Sequence, residues 1–303
     1  ESNYVAVRVF NSGNDMNNVT IKNSILKGGS YAFWVHNYTV ADFGTQEKAD
    51  AHKALLNFDI FNGTNTFTYT GKAPVLYGFT DEIYFDENGS QLIYDAAALA
   101  SALTANEENI NVALGNDIEL PINTLGTMTG GSGEYKLGGE NTKNLTINLN
   151  KQKLTITTTY WSILGAKNAD AIFTIKNGTM TSSQATGTWN SYDLTFANCN
   201  YTIEDVKFEK AIAFTNADKQ VALKNVTINE THDYYAMWIS AKGQNVTIDG
   251  LTINSLGRGI KIDEQYVGTP AKVTLNISNV TFKTAKKGAI MVKSAAGAEI
   301  IPV

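Results

Sequence analysis

Cysteine is almost absent from this chain. Cys199 stands alone in "TFANCNYTI", which excludes an internal disulfide and any Cys-rich zinc site. No histidine lies near it in sequence to activate it, so it reads as a small buried apolar residue. Arginine is nearly as scarce, with only Arg8 and Arg258. The formal net charge is −5 and no cluster of cations is available to neutralise phosphates, so a nucleic-acid partner is not expected. Four prolines in 303 residues do not suit a proline-rich linker or a disordered chain. No apolar run approaches the length of about 20 residues that a membrane-spanning helix needs, so no transmembrane span is expected. No signal peptide is legible, although a trimmed secreted chain would look the same. The three histidines, His36, His52 and His232, have no partners at metal-ligand spacing, and no metal site is expected.

Apolar residues make up 43% of the chain and charged residues only 17%. Asn, Thr, Ser and Gly must therefore cover much of the surface, unlike the Lys- and Glu-rich exterior of a helical protein. The polar residues are also ordered. A unit recurs as "IKNGTM" at 175–180, "IEDVKF" at 203–208, "LKNVTI" at 223–228, "IDGLTI" at 248–253 and "ISNVTF" at 277–282, at intervals of about 20 to 29 residues. Alternating apolar positions put every second side chain on one face of a short strand. The central Asn, Asp or Gly tolerates the left-handed backbone of a sharp bend between two strands. Most units continue into a third apolar segment, such as "YAMWI" at 235–239 or "GIKI" at 259–262. Three short strands per unit describe one coil of a solenoid, in which no coil hides its apolar face alone.

In these repeats the chain resembles the right-handed, single-stranded parallel β-helix proteins of the pectate-lyase-like superfamily. It is particularly similar to the Asn/Thr-rich cell-surface β-helix proteins of Bacteroidetes. The resemblance implies an all-β fold whose ladders of aliphatic and Asn side chains place Asn177, Asp205, Asn225, Gly250 and Asn279 at successive equivalent bends. It also implies a short N-terminal capping helix, for which "YDAAALASAL" offers Asp95 as the cap and Ala98, Leu99, Ala102 and Leu103 at helical spacing. The glycine-rich excursion "GTMTGGSGEYKLGG" at 126–139 reads as an outward loop, without the strand and helix of a phosphate loop.

The same unit occurs earlier, where "IKNSIL" and "YAFWV" at 31–35 echo "IDGLTI" and "YAMWI". The expected organisation is a β-helix coil segment at 1–40, a connector or insert at 41–91 and a capped parallel β-helix at 92–303. Within 41–91, "TQEKADAHKALLNF" suits a short helix, "NTFTYTG" and "EIYFDENG" suit strands, and "DENGS" could make a hairpin.

The chemistry is less complete. Lyases of the resembled superfamily set a cation beside a uronate carboxylate, commonly with calcium held by clustered acids, and hydrolases pair an Arg-x-Lys element with carboxylates. In "GRGIKI" Arg258 and Lys261 are three residues apart, which in a strand sends them to opposite faces. Ile260 and Ile262 then face inward and Lys261 outward. Asp249, Asp263 and Glu264 are the acids that could converge with Arg258 and Lys261, but no Asp-Asp pair precedes them. Aromatic residues suggest binding instead. If Tyr235, Met237 and Ile239 pack inward, Trp238 faces outward beside Tyr234, and Trp34 takes the same place in "YAFWV". Trp161 and Trp189 lie near other turns.

The expected function is therefore a non-catalytic, cell-surface or secreted β-helix protein in adhesion. Its expected ligand is a polysaccharide or cell-surface glycan at Trp238, Tyr234, Trp34 and Arg258, with no cofactor. Two alternatives stay open: a polysaccharide lyase or glycoside hydrolase acting on acidic polysaccharide, with calcium only in the lyase case, and a structural spacer.

Overall fold

The repeated hexapeptides become the bends of one long ladder of parallel strands. In the computed structural model the described residues are 4–10, 18–36, 38–55, 57–126, 134–157, 163–183, 194–230, 235–263, 269–283, 286–293 and 298–302. Residues Glu1–Ile93 and Tyr94–Val303 form two compact units.

In the second unit the chain passes alternately through two parallel ladders. One contains Ile172–Ser182, Asn200–Phe208, Gln220–Glu230, Asn245–Ser255 and Val273–Phe282, each hydrogen-bonded to the next in parallel register. The other contains Ile163–Ala166, Leu194–Phe196, Ile212–Phe214, Tyr235–Ser240, Arg258–Asp263 and Ile290–Lys293, again all parallel. Glu134–Leu137 pairs with Ile163–Ala166, so the end of the supposed glycine-rich loop supplies a strand; residues 127–133 lie outside the described residues.

The long strands bend at the five expected positions. Asn177, Asp205, Asn225 and Asn279 have φ of 61°, 55°, 52° and 54°, and Gly250 has 80°. A left-handed conformation costs most L-residues about 1–2 kcal/mol, and Asn and Asp reduce that by local hydrogen bonding. The bend side chains lie on the surface and bond to neighbouring passes. Asn225 Nδ2 donates to Asp205 Oδ1 at 3.1 Å, and Asn279 Nδ2 donates to Asp249 Oδ1 at 2.7 Å.

Alternation on either side of the bends fills the core in straight rows. Ile147, Ile175, Ile203, Leu223 and Ile248 are successive register partners and all are buried. In the short ladder Phe196 and Phe214 stack at 5.4 Å, followed in register by Ile239 and Ile262. Each fully buried side chain of this size contributes about 1.5–3 kcal/mol. The helix Ala96–Leu103 is capped by Asp95, whose Oδ1 accepts from the Ala98 amide at 2.8 Å. It lies against the strands Asn109–Leu114 and Ile118–Pro121 and buries Leu99 and Leu103.

The first unit has its own parallel pairs. Val5–Val9 pairs with Tyr31–Val35, which pairs with Val75–Tyr77. Asn18–Thr20 pairs with Asn57–Asp59, and Ile25–Lys27 with Thr66–Thr68. Strands within 41–91 thus pair in register with strands of the first forty residues. The helix Gln46–Leu55 forms between them. Val75–Tyr77 then pairs antiparallel with Ile83–Phe85, which turns through "DENGS" into Gln91–Ile93. The turn is held by Asp86, whose Oδ1 accepts from the Asn88 and Ser90 amides. Phe33, Val35, Ile60, Val75 and Tyr77 form the buried centre of this unit.

Candidate functional site

"GRGIKI" contributes to the strand Arg258–Asp263, which Arg258 opens. Gly259 is there for space: a Cβ would sit 2.3 Å from the Ala289 carbonyl oxygen and 2.4 Å from the Phe282 ring. Ile260 and Ile262 are fully buried in register with Met237 and Ile239, as the alternation requires.

The opposite face departs from expectation. Lys261 points away from the aliphatic row, yet it is 6% exposed, and Asp263 is 2% exposed. Lys261 Nζ forms an ion pair with Asp263 Oδ2, and Trp238 Nε1 donates to Asp263 Oδ1 at 2.6 Å. The ammonium also lies 4.7 Å from the Tyr235 ring centroid and 5.9 Å from that of Trp238. Trp238 is only 4% exposed, so its indole cannot offer an open face to a ligand. Tyr235 joins Trp238 and Ala213 instead of sharing the inward row of Met237 and Ile239. It precedes the segment Met237–Ile239 that pairs with Ile212–Phe214.

These contacts explain one another. A buried ammonium and a buried carboxylate are each costly to desolvate, and the pair is tolerable when each charge is partnered and hydrogen-bonded. The indole N–H and the ammonium satisfy different oxygens of Asp263, and the two rings accept the remaining positive field of Lys261. A nucleophile, acid or base must reach a substrate, and this pair is closed off from solvent.

The other candidates are elsewhere. Asp249 belongs to the long ladder and accepts from Asn279 Nδ2 and Ser278 Oγ; these bonds, with nearby Lys224, hold its carboxyl below the usual range. Arg258 is half-buried, with Tyr235 as register partner, and no carboxylate among the described residues forms an ion pair with it. The structure therefore brings Lys261, Asp263, Trp238 and Tyr235 together and does not bring Asp249 to them. Tyr234, Glu264, Trp161 and Trp189 lie outside the described residues. Among the described residues no group of three or more His, Cys, Asp or Glu is placed to hold a metal ion.

Trp34 is also 4% exposed, but its surroundings are open. Its Nε1 donates to the Gly78 carbonyl at 2.7 Å. Arg8, its direct register partner, holds its guanidinium carbon 4.5 Å from the indole centroid and 5.3 Å from that of Phe10. Phe79 stacks on the indole at 6.2 Å with an interplanar angle of 25°, and Tyr4 meets it edge-on at 5.7 Å. His36 lies 4.7 Å from both Trp34 and Phe79. Tyr4, Phe10 and Phe79 are 53%, 55% and 60% exposed, so exposed rings and one cation gather about Trp34.

Sequence reasoning found Trp34 and missed its neighbours. The alternation of "YVAVRVF" would have placed Tyr4, Arg8 and Phe10 on one face, opposite Val5, Val7 and Val9. Phe79 was not legible. Its parity is that of the inward Val75 and Tyr77, and it reaches the outer face after Gly78, which has a φ of 94°. A Cβ at Gly78 would lie 2.6 Å from the Asp81 carbonyl oxygen, so only glycine fits this reversal.

Comparison of the chain with protein families, with curated proteins and with solved structures found no match.

Proposed function

We propose that this chain is a non-catalytic cell-surface or secreted protein built as a right-handed parallel β-helix of the pectate-lyase-like kind, and that it acts in adhesion by binding a glycan. The alternating passage through two parallel ladders, with a left-handed bend in each long strand, supports the β-helix. The Asp95-capped helix, with Leu99 and Leu103 buried against the first strands of its unit, supports a capping role. The binding function rests on one observation: Tyr4, Phe10 and Phe79 expose more than half of their surface around Trp34 and Arg8. Exposed rings of this kind stack on the apolar face of a sugar, and a neighbouring polar group fixes its orientation.

A glycan array followed by calorimetry on the best ligand tests this reading. Tyr4→Ala and Phe79→Ala should each weaken binding about two- to tenfold. An array without signal, or a signal indifferent to both substitutions, refutes it. Turnover of an acidic polysaccharide in the presence of calcium, lost in Arg258→Ala, would establish the lyase reading in its place.

A further inference from the structure

Resting on the glycan-binding reading, we further propose that the aromatic surface of the first unit selects an anionic saccharide, whose sulfate or carboxylate is held by Arg8. Arg8 is one of two arginines in a chain of net charge −5, and it lies by Trp34 and the exposed ring of Phe10, in the neighbourhood that Tyr4 and Phe79 complete around Trp34. Its position is fixed twice. The parallel register sets Arg8 directly beside Trp34, and alternation sets Phe10 two residues on, on the same face. The guanidinium carbon lies 4.5 and 5.3 Å from the two ring centroids, so contact with both rings positions the group before a ligand arrives.

No carboxylate among the described residues forms an ion pair with Arg8. Asp42, whose carboxylate feels the charge of His36, is committed elsewhere: its Oδ2 accepts from the Tyr38 and Thr39 amides and from the Thr39 hydroxyl. A guanidinium stacked on an indole keeps its edge N–H groups available, and their planar fork matches two oxygens of a carboxylate or sulfate. A sugar ring lying on this surface beside Phe10 would carry its anionic substituent to that fork. The rings supply affinity for any pyranose face, and Arg8 supplies the choice among them.

The test uses one polymer with three substituents: neutral dextran, carboxymethyl dextran and dextran sulfate of matched length, with poly-glutamate as an anion lacking sugar. The full chain should bind at least one charged dextran roughly tenfold or more tighter than dextran, and poly-glutamate no better than dextran. The charged dextran preferred identifies sulfate or carboxylate as the recognised group. Arg8→Gln should abolish the preference while leaving dextran binding in place, and Arg8→Lys, which keeps the charge without the fork, should retain part of it. Lys48→Gln, an exposed charge change in the same unit, should leave the preference intact.

Equal binding of charged and neutral dextrans overturns the anion selection and leaves the glycan-binding reading standing. Binding of poly-glutamate as tightly as the charged dextrans, or a preference that survives both Arg8 substitutions, also overturns it. Failure to bind any of the three dextrans, together with an empty glycan array, removes both proposals.

Discussion

Two tryptophans occupy the same place in the same pentapeptide pattern, "YAFWV" in the first unit and "YAMWI" in the second, and they have the same low exposure. What lies over them differs. Trp238 is sealed by an ion pair: its N–H binds Asp263, and Asp263 binds Lys261, whose ammonium faces two rings. Trp34 gives its N–H to a backbone carbonyl and has against it a guanidinium and a ring that remain open to solvent. A local motif thus sets the direction of the indole, and a neighbouring strand in the ladder sets its use. Lysine and aspartate two apart on that strand make a closed structural cluster, whereas arginine and phenylalanine two apart make an accessible surface.

The largest effects should come from the closed cluster. Asp263→Ala removes the buried carboxylate that pairs with Lys261 and accepts from Trp238, and should cost about 3–5 kcal/mol in chemical denaturation. Lys261→Met combined with Asp263→Leu should recover part of that loss, since an apolar pair incurs no charge desolvation while the Trp238 N–H still loses its Asp263 acceptor. If both variants melt like the parent, the cluster is not structural and the contrast with Trp34 disappears.

Gly78→Ala attacks the open surface through its backbone. The added Cβ meets the Asp81 carbonyl oxygen and Thr39 in a left-handed conformation, so a loss of about 1–3 kcal/mol is expected in thermal unfolding, together with loss of glycan binding as Phe79 shifts. Retained binding would show that Phe79 reaches the surface by another route.

The bends of the second unit provide a smaller, local effect. Asn225→Ala should destabilise by about 1–2 kcal/mol, from the left-handed φ and the lost bond to Asp205, while Asn225→Gly should cost much less. Equal losses would assign the effect to the side-chain ladder alone.

Acid should produce the most gradual change, and in both units. Burial acts to raise the Asp42 carboxyl, but the Thr39 and Tyr38 amides and the Thr39 hydroxyl together hold it below its ordinary value. The hydrogen bond from Lys153 holds Glu209 low, and that from Asn279 holds Asp249 low. Groups with depressed folded pKa values stabilise fully above the unfolded carboxylate range, near pH 4, and lose that contribution as pH falls through their lower folded values. Thermal scans should therefore be flat from pH 7 to about pH 5 and fall below pH 4. An unchanged midpoint at pH 2.5 would contradict these contacts.

Much of the architecture was legible because its rules are local. "IKNGTM" and its four relatives each carry an apolar alternation and a residue that tolerates positive φ, and all five bends form at those residues. Asp95 before an Ala/Leu stretch was likewise enough to place a capped helix. The outward side of the short ladder was less legible. Parity puts Lys261 and Trp238 on the outer face, but parity carries no information about what covers that face, and the outward Trp238 lies in a sealed cluster. Phe79 was hidden for a different reason: one left-handed glycine breaks the alternation from which its direction would be read.

The sequence alone therefore determined the strand repeat, the positions of its bends and the inward rows, because each follows from side-chain alternation and from the backbone freedom of single residues. The tertiary structure decided which tryptophan is closed and which lies in an open surface. That outcome depends on which residues the parallel register sets side by side, Trp238 with Lys261 and Trp34 with Arg8, and register is a property of paired strands rather than of either strand alone.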